Sequence, residues 1–404
     1  MSWSLVNLED VTELITCGVA KKPEYFDSGI PFLSAKNVKK GKVVFNKYNH
    51  ISIATHLELT KNNKPMQGDI LYTRVGSVGE AAIIESDNEF SIFVSLTLIK
   101  VVKNKLFNRY LKYLLNSKPF KQMALDNLKG IGVGNLNVNT VRKFKIPLPP
   151  LPEQKKIAEI LDAADSLRQK NQQLVEHYDR LSQSLFLDMF DSNSAYYNDF
   201  LFHKIEDLAE NTKSSMRTGP FGSDLKHSEF VNQGIAVIGI DNAVQNKFTW
   251  GERRFITPEK YEKLKRYRVY PDDLIITIMG TTGRIAVIPK DIPLAITTKH
   301  LATITLNKNK VTPDYLAMAL KTHPYLLKQI LKSNKGAIMD GLNLGLIKTL
   351  IVPTPKLSLQ KLFIEKNELI LKQRAQAEVV FKKSEDLFNS LLQRAFKGEL
   401  THTQ

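Results

Sequence analysis

The chain has 404 residues, 43% of them apolar and 24% charged, a composition typical of soluble globular proteins. No apolar run approaches the roughly 18–20 residues that a membrane span needs, and the first residues lack the pattern of a secretory signal. Lysine and arginine total 57 against 41 acidic residues, a formal charge of +16. This excess favours a polyanionic partner such as nucleic acid, although a basic surface without a partner has the same composition.

The first predicted module covers residues 1–150 and is rich in short β-type segments, at 30–33, 69–72, 81–84 and 96–102. A helical stretch from about residue 108 to 128 follows, interrupted near Pro119, and then a glycine-rich turn at 130–135. Cys17 is the one cysteine, so no intrachain disulfide can form, which fits a reducing cytoplasm. We interpret Cys17 as a small packing residue rather than as a reactive thiol.

A long helix is predicted next, within residues 151–192 as a first spacer. We expect it to begin at Glu153, after a run of prolines that ends at Pro152. Its apolar residues recur every seven positions in two columns three residues apart, which is typical of a coiled-coil seam. The predicted seam residues are Ile157, Ile160, Ala164, Leu167, Asn171, Leu174, Tyr178, Leu181 and Leu185. Asn171 either fixes the register of the seam or is an exposed site, and the sequence leaves both interpretations open.

The second predicted module, residues 193–356, repeats the first element for element. Its β-type segments lie at 236–239, 273–276, 285–288 and 301–304, and its helical stretch has Pro324 where the first has Pro119. Gly-Asp-Ile-Leu at 68–71 returns as Asp-Asp-Leu-Ile at 272–275, and Pro-Leu-Pro at 147–149 returns as Pro-Thr-Pro at 353–355. A period of about 205 residues far exceeds the roughly 20–50 of a solenoid, so the chain contains two copies of one domain.

A second spacer helix is predicted within residues 357–404, ending at Gly398. Its seam is interrupted by polar residues, and its predicted apolar members are Phe363, Ile370, Ala377, Val380, Leu387 and Leu391. Because the first helix leads away from module one and the second starts at module two, we expect them to pair antiparallel. The predicted fold is two α/β (α+β) domains joined by two long antiparallel coiled-coil helices, with pseudo-two-fold symmetry.

The sequence lacks the motifs of the common enzymes that act on nucleic acids. It has no Gly-x-x-x-x-Gly-Lys-Ser/Thr loop, no Asn/Asp-Pro-Pro-Tyr/Phe tetrapeptide and no His-Glu-x-x-His. The Gly-x-x-Gly segments at 76–79 and 280–283 are interpreted as turns between strands. Asp69 and Asp273 occupy equivalent places and resemble paired catalytic carboxylates, but an Asp at the start of a strand more often closes a turn. We therefore expect no catalysis, no metal and no cofactor bound by this chain.

Basic and hydrogen-bonding residues cluster in the predicted loops of both modules. Arg and Lys suit guanine edges or phosphates, and Asn suits adenine, so these loops are predicted to contact duplex DNA. The candidate DNA-binding residues are Lys36, Asn37, Lys39, Thr73, Arg74 and Ser77 in the first module, and Arg217, Ser223, Lys226, Asn242, Arg284, Thr298, Lys299 and His300 in the second.

The chain resembles the specificity subunit of type I restriction–modification systems. The resemblance rests on the repeated strand–glycine-turn segment, on Ile-Pro-Leu-Pro-Pro-Leu-Pro-Glu-Gln-Lys-Lys-Ile-Ala at 146–158, on Thr-Gly-Pro-Phe-Gly-Ser at 218–223 and on Phe-Lys-Gly-Glu-Leu at 396–400. It covers essentially the whole chain, and departs at 358–360, where Ser-Leu-Gln replaces the Pro-Glu-Gln of 152–154.

The resemblance implies two target-recognition domains, each reading one half of a bipartite DNA sequence, and helices that space them and dock methyltransferase (modification) subunits. It further implies that S-adenosylmethionine, ATP and Mg belong to partner subunits, among them a restriction subunit that translocates and cleaves DNA. We therefore predict a non-catalytic DNA-specificity subunit. The alternative is a coiled-coil adaptor whose globular ends bind proteins.

Overall fold

The structure is a computed structural model, and it describes residues 3–129, 134–333 and 342–400, apart from the side chains of Lys129, Ser223 and Ser333. The chain forms two compact units: unit 1 comprises Met1–Gln173 and Glu378–Gln404, and unit 2 comprises Leu174–Ala377. Residues 130–133 of the predicted glycine-rich turn, and 334–341 at the equivalent place, lie outside the described residues. Within the described ranges, no helix is both long enough and apolar enough to cross a membrane.

Unit 1 is built around a six-stranded sheet of order β2-β10-β7-β8-β5-β4, with a three-stranded sheet of order β6-β3-β9 beside it. Its strands are β1 (Ser4–Asn7), β2 (Thr12–Cys17), β3 (Ile30–Leu33), β4 (Val38–Lys39), β5 (Lys42–Val43), β6 (Asn49–Ile51), β7 (Ile70–Thr73), β8 (Ala81–Ile83), β9 (Ser91–Ile92), β10 (Leu96–Val101), β11 (Leu128–Lys129), β12 (Asn135–Leu136) and β13 (Lys145–Leu148). Its short helices are α1 (Ile53–Thr60), α2 (Asn108–Asn116), α3 (Lys118–Asp126) and α4 (Val138–Arg142). The predicted interruption near Pro119 is confirmed, because α2 ends before it and α3 carries it in the first turn.

The first long helix, α5 (Leu151–Phe190), has 40 residues and therefore measures about 60 Å along its axis. It begins two residues before the predicted start at Glu153, so that prediction was wrong. Pro152 lies in the first turn, where its missing N–H is not needed for an intrahelical hydrogen bond.

Unit 2 repeats the topology of unit 1, except that its main sheet has four strands and the described residues form no strands equivalent to β4 and β5. The strands are β14 (Leu201–Lys204), β15 (Met216–Thr218), β16 (Ile235–Ile238), β17 (Arg254–Ile256), β18 (Leu274–Thr277), β19 (Ile285–Val287), β20 (Ala295–Thr297), β21 (Leu301–Ile304) and β22 (Ile351–Thr354). The short helices are α6 (Ile205–Leu208), α7 (Pro258–Leu264), α8 (Pro313–Thr322), α9 (Pro324–Ser333) and α10 (Leu344–Thr349). The sheet order β15-β21-β18-β19 matches β2-β10-β7-β8, and β17-β16-β20 matches β6-β3-β9. In the three-stranded sheets, β16 and β20 are parallel, and so are β3 and β9. The predicted duplication is thus present in the fold.

The second long helix, α11 (Leu357–Phe396), also has 40 residues, and Gly398 lies two positions after its last residue, the place of the predicted C′ glycine. Gly398 has φ of 79°, a conformation that favours glycine. Its N–H donates to the carbonyl of Ala395 at 3.2 Å, and the N–H of Glu399 donates to the carbonyl of Arg394 at 2.9 Å. This pair of hydrogen bonds is a Schellman motif, which satisfies carbonyls that the helix end would leave unpaired.

The two long helices pair antiparallel, as the chain connectivity predicts. In unit 2, Asp179 of α5 forms an ion pair with Arg374 of α11, and Phe190 packs edge-to-face on Phe363 at a centroid distance of 5.5 Å. Position therefore rises along α5 as it falls along α11. In unit 1 the N-terminal part of α5 shares a core with the C-terminal part of α11, where Arg168 lies over the ring of Phe388 at 4.8 Å.

One of the two predicted seam columns is wrong in each long helix. The column through Ile157 and Ala164 in α5 is buried or half-buried, and so is the column through Phe363 and Ala377 in α11. In the other predicted column Ile160 is half-buried, whereas the remaining apolar positions on the two helices are 42–49% exposed: Leu167, Leu174, Leu181, Val380 and Leu387.

The side chains that occupy the second column lie one residue later and include many polar groups. They are Leu161, Arg168, Val175, Ser182 and Met189 in α5, and Asn367, Arg374, Phe381, Phe388 and Ala395 in α11. A prediction based on hydrophobicity assigns the neighbouring leucines to the seam. A polar seam residue can be recognised only from its partner on the other helix, as with Ser182 and Asn367, whose side chains are 2.5 Å apart. Asn171 is half-buried, which favours neither of its two interpretations.

Candidate nucleic-acid interface

In unit 1, two loops meet at the carboxyl end of the central strand β7. The β7–β8 loop turns at Gly76 and Gly79, whose φ angles of 78° and 88° favour glycine, so the glycine motif forms a turn between strands, as predicted. Ser77 is exposed in this turn. The β4–β5 turn lies beside it, since the backbone N–H of Gly41 donates to Oε1 of Glu80 at 3.1 Å.

In unit 2, loops from three strands meet at the equivalent edge. The glycine turn recurs between β18 and β19, with φ of 72° at Gly280. The N–H of Thr298, after β20, donates to the carbonyl of Ile238 at the end of β16 at 2.9 Å. The N–H of Ile278, after β18, donates to the carbonyl of His300 at 2.8 Å. These hydrogen bonds place the segments 278–283 and 298–300 side by side.

Two asparagines predicted to contact DNA are buried instead and hold these loops. Asn37 and Asn242 are 1% and 2% exposed. The side-chain Oδ1 of each accepts the N–H of the residue three positions earlier, Ser34 at 3.0 Å and Gly239 at 2.9 Å. The Nδ2 of each donates to the carbonyl seven positions later, at 3.1 and 2.9 Å. Their amides are used within the fold, so the prediction of DNA contact by Asn37 and Asn242 is wrong.

Three further predicted contact residues are also buried. Thr73 is fully buried, and Arg74 and Arg217 are 6% and 8% exposed. The guanidinium of Arg74 donates from Nε to the carbonyl of Leu136 at 2.8 Å, and that of Arg217 pairs with Asp273 at 2.7 Å. A basic residue looks the same in sequence whether its side chain points outward or inward, and here both guanidinium groups are hydrogen-bonded inside the fold.

Asp69 and Asp273 close turns, as the turn interpretation predicts. Oδ2 of Asp69 accepts the N–H of Met66 at 2.8 Å, and Oδ2 of Asp273 accepts the N–H of Tyr270 at 2.9 Å. Both carboxylates therefore fix the entry into a central strand. Among the described residues, no group of three or more His, Cys, Asp or Glu side chains is arranged to hold a metal ion.

The remaining predicted contact residues lie at the surface, except Ser223, whose side chain is outside the described part. Exposed are Lys36, Lys39, Ser77, Lys226 and Arg284, and half-buried are Thr298, Lys299 and His300. Burial lowers the pKa of His300, and the charges of Lys299 and Arg254 lower it further, which favours the neutral imidazole. A neutral imidazole has one donor and one acceptor nitrogen, which suits the mixed edge of a base.

An exposed aromatic residue in unit 2 is missing from the predicted set. Trp250 is 39% exposed, with Arg253 over its ring at 5.1 Å and Phe248 edge-on at 5.2 Å. The sequence signal for this cluster is a pair of aromatic residues, Phe248 and Trp250, followed by two arginines at 253–254.

A buried glutamine joins each long helix to its own domain. Gln154 and Gln360 are both fully buried. Oε1 accepts the N–H of Phe107 in unit 1 and of Thr312 in unit 2, both at 2.8 Å, and Nε2 donates to the carbonyl five residues earlier, at 2.9 and 2.8 Å. The glutamine is therefore the part of the Pro-Glu-Gln motif that holds the helix, and the second copy keeps it although Pro and Glu are replaced.

Comparisons with known proteins agree with this duplicated architecture. The family model described as "Type I restriction modification DNA specificity domain" matches twice, at residues 2–177 and 198–367. The putative type I restriction enzyme MjaX specificity subunit of Methanocaldococcus jannaschii is 24% identical over 96% of this chain and 92% of its own length. The type I restriction enzyme EcoBI specificity subunit of Escherichia coli is 24% identical over 99% of this chain and 86% of its own length.

Solved structures show the same fold. The S subunit of the type I restriction–modification system from M. genitalium superposes with a TM-score of 0.55 at 17% identity, covering 98% of this chain and 96% of that one. A chain from a structural study of complex assembly and conformational transition of the type I R-M system also gives 0.55, at 15% identity, covering 99% of this chain and 98% of that one. The family match favours DNA recognition over a protein-binding adaptor.

Proposed function

We propose, from the premise that this chain belongs to the type I restriction–modification DNA specificity family, that each of its units reads one half of a bipartite duplex sequence. The observation that carries the proposal is the repeated site. In both units a buried Asn and a glycine turn hold the loops at the carboxyl end of the central strand, while the exposed side chains on those loops differ. One framework with two different surfaces suits two different half-sites.

We further propose that the chain recognises DNA without modifying it. Asp69 and Asp273, the carboxylates best placed by sequence for chemistry, are used to close turns. S-adenosylmethionine, ATP and Mg are accordingly assigned to methyltransferase and restriction subunits. The proposed complex acts in the cytoplasm, where it meets the cellular DNA.

The exposed leucines of α5 support docking of a methyltransferase subunit. Leu167, Leu174 and Leu181 are spaced by seven residues on one face and are 42–47% exposed. Exposed apolar residues that recur on one helical face are typical of a surface that another protein covers.

The proposal is tested by exchanging one module in the assembled complex. Residues 3–150 are replaced by the corresponding residues of another family member with a different target, and the methylated motif is read from genomic DNA of cells that express the complex. We expect one half of the motif to change and the other half, together with the spacing, to stay the same. The matched control exchanges residues 193–356, which should change only the other half. A change in both halves from either exchange contradicts independent reading.

A further inference from the structure

The segment 36–47 of unit 1 is a concentration of positive charge. It contains five lysines and no acidic residue: Lys36, Lys39, Lys40, Lys42 and Lys47. All five are exposed, and within the described ranges none lies within 4 Å of a carboxylate oxygen as an ion pair. This segment, which includes β4 and β5, is called the lysine hairpin below.

The lysine hairpin breaks two local preferences. Lys39 and Lys42 are direct cross-strand partners, and like charges placed opposite each other on an antiparallel pair repel. Lys40 has φ of 50° and precedes Gly41 at 73°, the positions of a two-residue turn that Asn-Gly fits best. A lysine therefore occupies a backbone conformation that disfavours it, beside two lysines that repel each other. Local preferences are commonly violated where a residue is kept for binding.

The hairpin is nevertheless held firmly. Val38 packs in the buried core, and the side chain of Asn37 donates to backbone carbonyls just after the returning strand, at Val44 and Asn46, both at 3.1 Å. At the other end, Gly41 donates to Glu80 in the β7–β8 loop. The hairpin backbone is thus fixed, and its lysines lie at the edge where the candidate recognition loops of unit 1 meet.

The equivalent segment of unit 2 has the opposite charge. Residues 241–252, offset by 205 from 36–47, contain Asp241 and Glu252 against the single Lys247. The two segments therefore differ in formal charge by six, from +5 (five Lys, no acid) to −1 (one Lys, two acids). Asp241 forms an ion pair with Arg254, which leaves that guanidinium less available to an anion.

We propose that the lysine hairpin binds the phosphate backbone of DNA beside the half-site of unit 1 and contributes salt-dependent affinity there. This inference rests on the proposed function. A polyanion neutralises the facing lysines and releases counterions, which is the source of salt-dependent affinity. Phosphate contacts position a protein without reading sequence, so the hairpin strengthens binding to any duplex.

The experiment uses the complex assembled with its partner subunits and two variants that each lose three charges. The hairpin variant carries Lys39→Gln, Lys40→Asn and Lys42→Gln. The control variant carries Lys61→Gln, Lys103→Gln and Lys105→Gln, which are exposed lysines of the same unit outside the hairpin. Dissociation constants are measured between about 0.05 and 0.4 M salt, on target DNA and on a duplex of equal length with both half-sites scrambled.

Each lysine that contacts a phosphate contributes about 0.9 to the slope of log affinity against log salt, or roughly 8-fold in affinity at 0.1 M salt. We expect the hairpin variant to lose about 1–3 such contacts, hence roughly 10- to 500-fold in affinity at 0.1 M salt, equally on both duplexes. The control variant should stay within about 2-fold of the parent complex.

An unchanged salt slope in the hairpin variant, or an equal loss in the control variant, overturns the inference. A loss confined to target DNA also overturns it, because the lysines then read bases. Loss of a partner subunit from the complex assigns the hairpin to protein binding instead. Failure of the parent complex to prefer target DNA over the scrambled duplex counts against the proposed function.

Lys40→Asn alone separates binding from folding. Asn adopts the left-handed conformation more readily than Lys, so the melting temperature should stay the same or rise. Affinity for both duplexes should still fall, by up to about 8-fold at 0.1 M salt. A variant that melts later and binds DNA as tightly as the parent contradicts a phosphate contact by Lys40.

Discussion

Units 1 and 2 agree in their buried polar residues and differ in their exposed ones. Asn37 and Asn242 make the same hydrogen bonds at nearly the same distances, and Gln154 and Gln360 do so as well. The lysine hairpin has no basic counterpart in unit 2, where the segment 241–252 is acidic and aromatic. The polar interior therefore preserves the domain, and the difference in target is to be sought on the surface.

The turn-closing aspartates show how one framework tolerates different chemistry. Asp69 pairs with Lys100 on a neighbouring strand, with side chains 14% and 19% exposed. Asp273 pairs with Arg217 at 2.7 Å, with side chains only 1% and 8% exposed. Burial raises the pKa of Asp273, and the charge of Arg217 opposes that rise.

The largest effect is expected from breaking the buried pair. Asp273→Asn keeps an acceptor for the N–H of Tyr270 but leaves the Arg217 guanidinium buried without its counter-charge, which should lower the stability of unit 2 by about 3–5 kcal/mol. The matched Asp69→Asn should lower that of unit 1 by about 1 kcal/mol or less. Hydrogen exchange of β18 and β7 in each variant gives the two values separately. Equal losses would show that the pairs are energetically alike.

A smaller effect on stability should distinguish the observed seam column of α11 from the predicted column one residue earlier. Phe388 of α11 is 9% exposed, and its ring packs on Tyr113 at 6.1 Å and under Arg168. Phe388→Ala should therefore reduce the stability of unit 1 by about 3 kcal/mol. Leu387→Ala, at the exposed position that hydrophobic spacing selects, should change it by less than about 0.5 kcal/mol. Urea denaturation measures the stability of both variants. A larger loss for Leu387→Ala than for Phe388→Ala would favour the seam column predicted from sequence.

The sequence predicted the elements better than the orientation of their polar side chains. The repeat, the glycine turns and the helix end at Gly398 follow from backbone requirements that few residues meet, and these are confirmed. Arg74, Arg217, Asn37 and Asn242 were placed on the surface because Arg and Asn are usually exposed. Each is buried with its polar groups satisfied. Arg74 and Arg217 have partners 62 and 56 residues away, which leave no local sequence signal, whereas Asn37 and Asn242 bond to backbone groups three and seven residues away.

The prediction of the second seam column was wrong for a related reason. Leu167, Leu174 and Leu181 form a regular heptad column, yet Arg168 and Ser182 occupy the actual second column. Whether a polar residue belongs to a seam depends on the side chain opposite, such as Asn367 for Ser182, and the sequence of one helix does not contain that information.

The most direct test of the claim that each unit reads one half of the target changes only surface residues of unit 2. Arg284→Gln, Lys299→Gln and His300→Gln are combined in the assembled complex, and the methylated motif is determined from genomic DNA. Each lost base contact is worth about 1–3 kcal/mol of discrimination, so one half of the motif should become degenerate at one or more positions while the other half stays unchanged. A motif altered in both halves, or in neither, would contradict the account.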